Sequence, residues 1–288
     1  MRGRLGLLEL RGFEMPPHPD MALVQALLVR ALLARFAEEP YSAPLIRWGT
    51  SLHERFLLPH FAMADVAEVV ADLRVHGFEF DLDWLAPYLE FRFPKIGVAE
   101  IGEQHVLELR SAIEPWHVLG EESASGGTAR YVDSSTERLQ ITVTGFEPAR
   151  QLLTCNSAAV PLVPAGTPGT YVAGVRYKAW KPWSSLHPTL GIDSPLRFDL
   201  VDRASQLSLG GATYHVSHPG GRAYETPPVN AKEAEARRRV RFEPMGHTTG
   251  VIDVGAIDAQ LGWRTATGAD YAMTLDLRRR QPRRWGRS

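Results

Sequence analysis

Six short runs of β-type residues between positions 139 and 216 constrain the fold of this chain more than any other feature. Turn-forming sequences such as Pro164-Ala165-Gly166 separate them, and such residues favour tight turns over continuous helix. Short strands at this spacing are typical of an antiparallel sandwich or barrel. The predicted strands cover residues 139–144, 151–155, 160–163, 171–179, 196–201 and 212–216.

The first 120 residues carry mainly helical patterns. Asp20 is a suitable N-cap for a helix over residues 21–36, whose wide apolar face predicts that the helix is well buried. Gly77 is a suitable stop for a later helix. The other elements predicted here are helices at 43–57, 64–76 and 83–88 and strands at 90–93 and 106–110.

These patterns together predict an α+β fold. A Ser/Gly-rich stretch at 123–128 marks a candidate domain boundary. The predicted domains are 1–122, then an antiparallel β-sandwich at 129–225, then 226–288 with a helix at 231–242. The basic end, residues 278–288, is predicted to be disordered.

Charge and composition exclude several classes of partner. The chain has 32 Lys and Arg against 33 Asp and Glu, so no bulk attraction to nucleic acid or to an anionic membrane is expected. No apolar run approaches the length of a membrane span. One cysteine allows neither an intrachain disulfide nor a multi-cysteine zinc site. A cytoplasmic protein is the expectation.

Glu9, Arg11 and Glu14 are the first candidates for chemistry. Residues 4–13 alternate loosely and predict a short buried strand, in which Glu9 and Arg11 point to the same face. A carboxylate beside a guanidinium can bind a divalent cation and a phosphate together. The alternative is a salt bridge across the sheet surface, because this spacing is common.

Longer stretches give the sequence a family resemblance. Residues 8–28 resemble the signature of glutamine-synthetase-like ligases, in which a Glu-x-Arg strand leads through a proline turn into a buried helix. Several strings are similar to the family of putative amidoligases. They are FEMPPH at 13–18, RWGT at 47–50, LPHF at 58–61, FRFP at 91–94, EPWHVLGEE at 114–122, GTARYVDSS at 127–135 and HPGGR at 218–222.

The resemblance implies a ligase that binds ATP and Mg²⁺, activates a carboxylate as an acyl phosphate and joins it to an amine. Glu9 matches the metal-binding residue, and Arg11 the residue that steadies phosphate. Residues 1–122 would then be the C-terminal part of a glutamine-synthetase-like catalytic sheet. The upstream half of the ligase, often fused to a transglutaminase-like domain, would be a partner. A peptide or amino-acid-like substrate is implied, although Met-Pro-Pro-His at 15–18 departs from the Asn-Pro-Tyr type of glutamine synthetase.

His117 is a third candidate catalytic residue, beside Arg11 and Glu14. It could act as a general base oriented by Glu114 or Glu121, or be a structural histidine at a strand end.

Two further sites have weaker signals. His215 and His218 could hold a metal or simply shape a loop, and Cys155 lies in a β-run where a buried, unreactive side chain is expected.

Two functions from different classes remain open. One is the C-terminal portion of an amidoligase. The other is a non-catalytic binding or assembly module, whose β domain recognises a peptide or glycan.

Overall fold

A computed structural model describes most of the chain. The residues it describes are 9–49, 51–114, 118–125, 127–133, 135–180, 191–217, 220–221, 224–266 and 273–278. They form helices together with antiparallel and mixed sheets, which confirms the α+β class. The chain divides into two compact units, one made of Met1–Arg47 and Met63–Arg92 and the other of Trp48–Ala62 and Phe93–Ser288.

The helices follow the predicted pattern only in part. In chain order they are α1 Pro19–Glu38, α2 Ser51–Phe56, α3 Pro59–Val75, a 3-10 turn Leu82–Leu85, α4 Ala86–Arg92, α5 Ala231–Arg239 and α6 Val254–Ala266. No helix in these described stretches has both the length and the apolar character that a membrane crossing needs.

The first unit is built around α1. Its N-cap is His18, whose Nδ1 accepts from the Asp20 amide at 3.2 Å, with Pro19 at the first helical position, so Asp20 is not the cap. One side of α1, including Val24 and Leu28, packs against Leu73 and neighbouring core residues. Deep burial of the whole helix is wrong, because large apolar side chains of α1 such as Leu23, Leu27, Leu33 and Phe36 remain exposed.

Several local predictions in this region fail for identifiable reasons. Residues 9–16 form no strand, residues 43–49 lie outside any helix, and residues 90–92 belong to α4. Pro44 disfavours helix before it, and Gly49 adopts a positive φ of 58° just ahead of α2. Gly77 is confirmed as a stop for α3: its φ is 83°, and the Phe78 amide bonds to the Leu73 carbonyl at 3.0 Å.

The second unit holds the sheets. The strands are β1 Lys95–Ile101, β2 His105–Ala112, β3 Val118–Ala124, β4 Gly127–Asp133, β5 Thr136–Thr144, β6 Gln151–Cys155, β7 Ala158–Ala159, β8 Val163–Pro164, β9 Tyr171–Lys178, β10 Leu196–Asp202, β11 Leu207–Tyr214, β12 Phe242–Glu243 and β13 Thr274–Asp276. The first sheet has the order β1-β2-β5-β9-β13, with β8 also pairing β9. The second has the order β12-β11-β10-β6-β7, and β3 and β4 form a separate hairpin.

Both large sheets contribute to one apolar core. Leu109, Ile141 and Val175 come from the first sheet, and Leu153 and Phe198 from the second. Since side chains alternate along a strand, the residues between these positions in the first sheet lie on its other face. That second face carries the polar chemistry described below.

Most predicted strands between 139 and 201 are confirmed to within a few residues, whereas 160–163 is wrong because only Val163 of that run is in a strand. Within the stretch 123–128, residues 123–124 end β3 and residues 127–128 begin β4, and these two strands pair with each other. The predicted domain limits stay predictions. Residues 279–288 lie outside the described residues, while α6 and β13 were not predicted. The sandwich and the glutamine-synthetase-like sheet remain predictions.

Candidate functional site

A set of charged side chains occupies the second face of the first sheet. Arg138 on β5 lies directly opposite Arg176 on β9, which in turn lies opposite Asp276 on β13. Glu114, just after β2, and Arg278, just after β13, join them. We call these five residues the charged row.

Ion pairs link the charged row from end to end. Glu114 accepts a hydrogen bond from Arg176, and its Oε2 lies 3.4 Å from Arg138 Nε. Arg176 Nη1 lies 3.6 Å from Asp276 Oδ2, which also accepts from Arg278 Nη2 at 2.9 Å. Four of the five side chains are at most 3% exposed, and that of Arg278 is 16% exposed. Burying so many charges costs free energy that apolar packing would not, and this makes the charged row a candidate functional site.

Burial and mutual charge shift the protonation of the row. Burial lowers the pKa of Arg138, with Glu114 opposing and Arg176 adding to that lowering. Burial raises the pKa of Asp276, but the hydrogen bond and charge of Arg278 and the charge of Arg176 outweigh it, so the net pKa is lowered. Asp276 is therefore held as a carboxylate.

The segment Trp48–Ala62 packs on this face of the sheet. Leu58 is fully buried against Val172 and reaches over Gly174, where an added Cβ would lie 3.0 Å from Leu58 Cδ2. The His60 amide donates to Gln140 Oε1 at 2.9 Å. Glu54 Oε1 accepts from the Met273 amide at 2.7 Å. The charged row is thus held beside an apolar cover.

His60 and Arg55 on this segment add chemistry that the sequence did not single out. Burial, and then the charge of Arg55, lower the pKa of His60, which favours a neutral imidazole at pH 7. The Arg55 guanidinium lies over the rings of Trp48 and Phe61, 5.2 and 4.8 Å from their centroids.

Glu9 and Arg11, which were predicted to share a buried strand, lie in an extended stretch of the first unit. Arg11 Nε is 3.0 Å from Glu9 Oε1, and their side chains are 80% and 67% exposed. Glu14 pairs with Arg92. Residues 9–13 of the buried strand that was expected to hold Glu9 and Arg11 in a cleft belong to no strand, and the proposed roles of the two residues stay predictions. The described part of the chain contains no group of three or more His, Cys, Asp or Glu side chains suited to a metal ion.

His117 and His218 lie outside the described residues. Glu114, predicted as an orienting carboxylate for His117, accepts a hydrogen bond from Arg176. His215 Nε2 lies 2.7 Å from Glu243 Oε1, which gives this imidazole a carboxylate partner.

The prediction for Cys155 is confirmed. Cys155 is fully buried, and burial raises its pKa well above the ordinary value, as expected for an unreactive side chain. Arg110 Nε donates to Glu108 at 2.7 Å along one strand face.

Comparison with protein families identifies one match, to the family described as putative amidoligase enzyme (DUF2126), over residues 1–278. Functionally curated proteins and solved structures gave no match to the chain.

Proposed function

Because this chain belongs to the putative amidoligase family, we propose that it takes part in the ATP-dependent joining of a carboxylate to an amine. The observation that supports this is the charged row, where two buried arginines lie opposite each other on neighbouring strands. Two such arginines can bind carboxylate and phosphate groups, which are present in the reaction of every ATP-dependent carboxylate–amine ligase. A peptide or amino-acid-like carboxylate is the substrate class we propose.

The residues of the row divide this work between them. Arg138 and Arg176 would orient the oxygens of an anionic group, while Glu114 and Asp276 hold the guanidinium groups in place. The buried Leu58 and its segment keep water from this face, which strengthens each electrostatic contact.

The proposed cofactors are ATP and Mg²⁺. ATP would supply the phosphoryl group that activates the carboxylate. The described residues contain no group of three or more His, Cys, Asp or Glu side chains that could hold a metal ion, so they do not form a Mg²⁺ site by themselves. We propose that Glu9 is a metal ligand and that Arg11 binds phosphate. Glu14 and His117 are the proposed catalytic groups, and the upstream half of the ligase is the proposed partner.

Isotope transfer tests the reaction directly. A carboxylate oxygen would attack the γ-phosphorus with ADP leaving, and the amine would then attack the carbonyl carbon with phosphate leaving. With an ¹⁸O-labelled carboxylate substrate, we therefore expect one ¹⁸O in the released phosphate, measured by mass spectrometry together with the amide. The chain would be assayed with the upstream half. Amide formation without ¹⁸O in the phosphate would contradict the acyl phosphate route. Binding of a peptide with no ADP formed would favour the non-catalytic binding module.

Replacing Glu9 with alanine tests the metal proposal. We expect kcat/KM for ATP turnover to fall by at least about tenfold, the effect of losing a charge-assisted contact of about 1.5–3 kcal/mol. The melting temperature should not change, since Glu9 is mostly exposed. Glu38→Ala on the exposed side of α1 is the matched control. Equal turnover in both variants would remove Glu9 from the site.

A further inference from the structure

Two hydrogen-bond donors of the Arg138 side chain lack a hydrogen-bond acceptor in the described part of the chain. Only 4% of this residue is exposed, yet neither Nε nor Nη1 has a hydrogen-bond acceptor among the described residues. A buried donor without an acceptor costs about 1–3 kcal/mol, and more when it is charged. A ligand that supplies the acceptor would remove that cost.

The side chains near Arg138 that carry acceptor oxygens are those of Glu114, Glu54 and Gln140. Glu114 Oε2 faces Nε at 3.4 Å without hydrogen-bond geometry, and the same carboxylate accepts from Arg176. Glu54, whose charge also acts on Arg138, accepts from the Met273 amide. Gln140, the next residue on the same face of β5, accepts from the His60 amide. A small side-chain rotation would bring Nε into hydrogen-bond geometry with Glu114 Oε2, whereas Nη1 has no hydrogen-bond acceptor in the described part of the chain.

We propose that Arg138 binds an oxoanion, a carboxylate or phosphate group, at its Nη1 side. Glu114, on the Nε side, is then a positioning residue that fixes the guanidinium. The planar guanidinium matches the spacing of two oxygens on either anion. Arg176, directly opposite on β9, adds a second positive charge. This inference deepens the proposed function by assigning the residue that contacts the anionic group.

Anion-dependent thermal stability tests the site without any turnover. The chain would be melted in increasing sodium phosphate or sodium acetate, with sodium chloride at equal ionic strength as the reference. We expect a saturable rise in melting temperature with phosphate, acetate or both, over that in chloride. A saturable rise with phosphate alone would indicate that Arg138 binds the phosphoryl group of the reaction. A saturable rise with acetate alone would indicate that it binds the substrate carboxylate.

Arg138→Met should abolish the anion-dependent rise. Arg110→Met is the matched control, because Arg110 lies on the same sheet face but its Nε and Nη1 donate to Glu108 and to the Phe93 carbonyl. If Arg138→Met does not fold, Arg138→Lys keeps the charge without the planar donors and should weaken anion binding at least tenfold. An anion-dependent rise that survives in the Arg138 variants, or no rise in the unaltered chain, would overturn the proposal. Since no ATP is present, this outcome is independent of the isotope experiment.

Discussion

Replacing Arg176 with methionine is expected to lower the free energy of unfolding by about 3–5 kcal/mol, because it removes a buried cation that two buried carboxylates share. Glu114 would lose the hydrogen bond that it accepts from Arg176, and Asp276 would lose its ion pair with Arg176 while keeping the one with Arg278. Methionine fills a similar space, so lost packing contributes little. Urea denaturation followed by circular dichroism measures the change.

Arg138→Met serves as the contrast for that measurement. It leaves Glu114 bonded to Arg176 and removes two donors that have no acceptor in the described structure, so its cost should stay within about 1.5 kcal/mol. The double variant Glu114→Gln with Arg176→Met should lose less than the sum of the single variants, since the two groups interact directly. The charged row would not be a coupled network if Arg176→Met and Arg138→Met lowered the free energy of unfolding equally and the effects of Glu114→Gln and Arg176→Met were additive.

The strands that carry the charged row were largely visible in the sequence, but the row itself was not. The alternation at 139–144 and 171–179 predicted β5 and β9 because Leu139, Ile141, Ala173 and Val175 form the buried face. Arg138 falls one residue before the predicted strand at 139–144, and nothing in the alternation of 171–179 distinguishes Arg176 from its neighbours. That these two arginines lie opposite each other depends on the register between β5 and β9, which no local pattern specifies.

The third strand of the row could not be found from periodicity. β13 has three residues and pairs in parallel with β9, nearly a hundred positions earlier in the chain. Three residues are too few to show alternation, and its burial comes from the sheet that it joins. One signal was available: Asp276-Leu277-Arg278 repeats the acid-x-Arg spacing noted at Glu9 and Arg11.

Near Glu9 the local pattern predicted a strand where the described residues form none. The loose alternation of residues 4–13 predicted a buried strand, but residues 9–16 are extended without strand partners. An isolated extended segment gains no ladder hydrogen bonds, so alternation alone cannot stabilise it. Family membership and the charged row now support the ligase proposal more than this segment does.

The substitution Leu58→Ala is expected to lower the free energy of unfolding by about 2–5 kcal/mol, the range for truncating a fully buried leucine side chain to alanine. Leu58 is 0% exposed and packs with Phe61 and Val172, above the strand position that Gly174 leaves open. The substitution leaves a cavity between the segment Trp48–Ala62 and the sheet, because β9 is fixed between β5 and β13 and cannot move to fill it. Chemical denaturation gives the magnitude.

Leu52→Ala is the matched control, since this leucine lies on α2 of the same segment and is 43% exposed. Its cost should stay below about 1 kcal/mol. If both substitutions cost the same small amount, the segment is not packed on the sheet as described. The charged row would then be open to water, where ion pairs contribute only about 0–1 kcal/mol and bind anions weakly. The large effect expected at Arg176 and the anion site at Arg138 therefore both depend on Leu58 being buried.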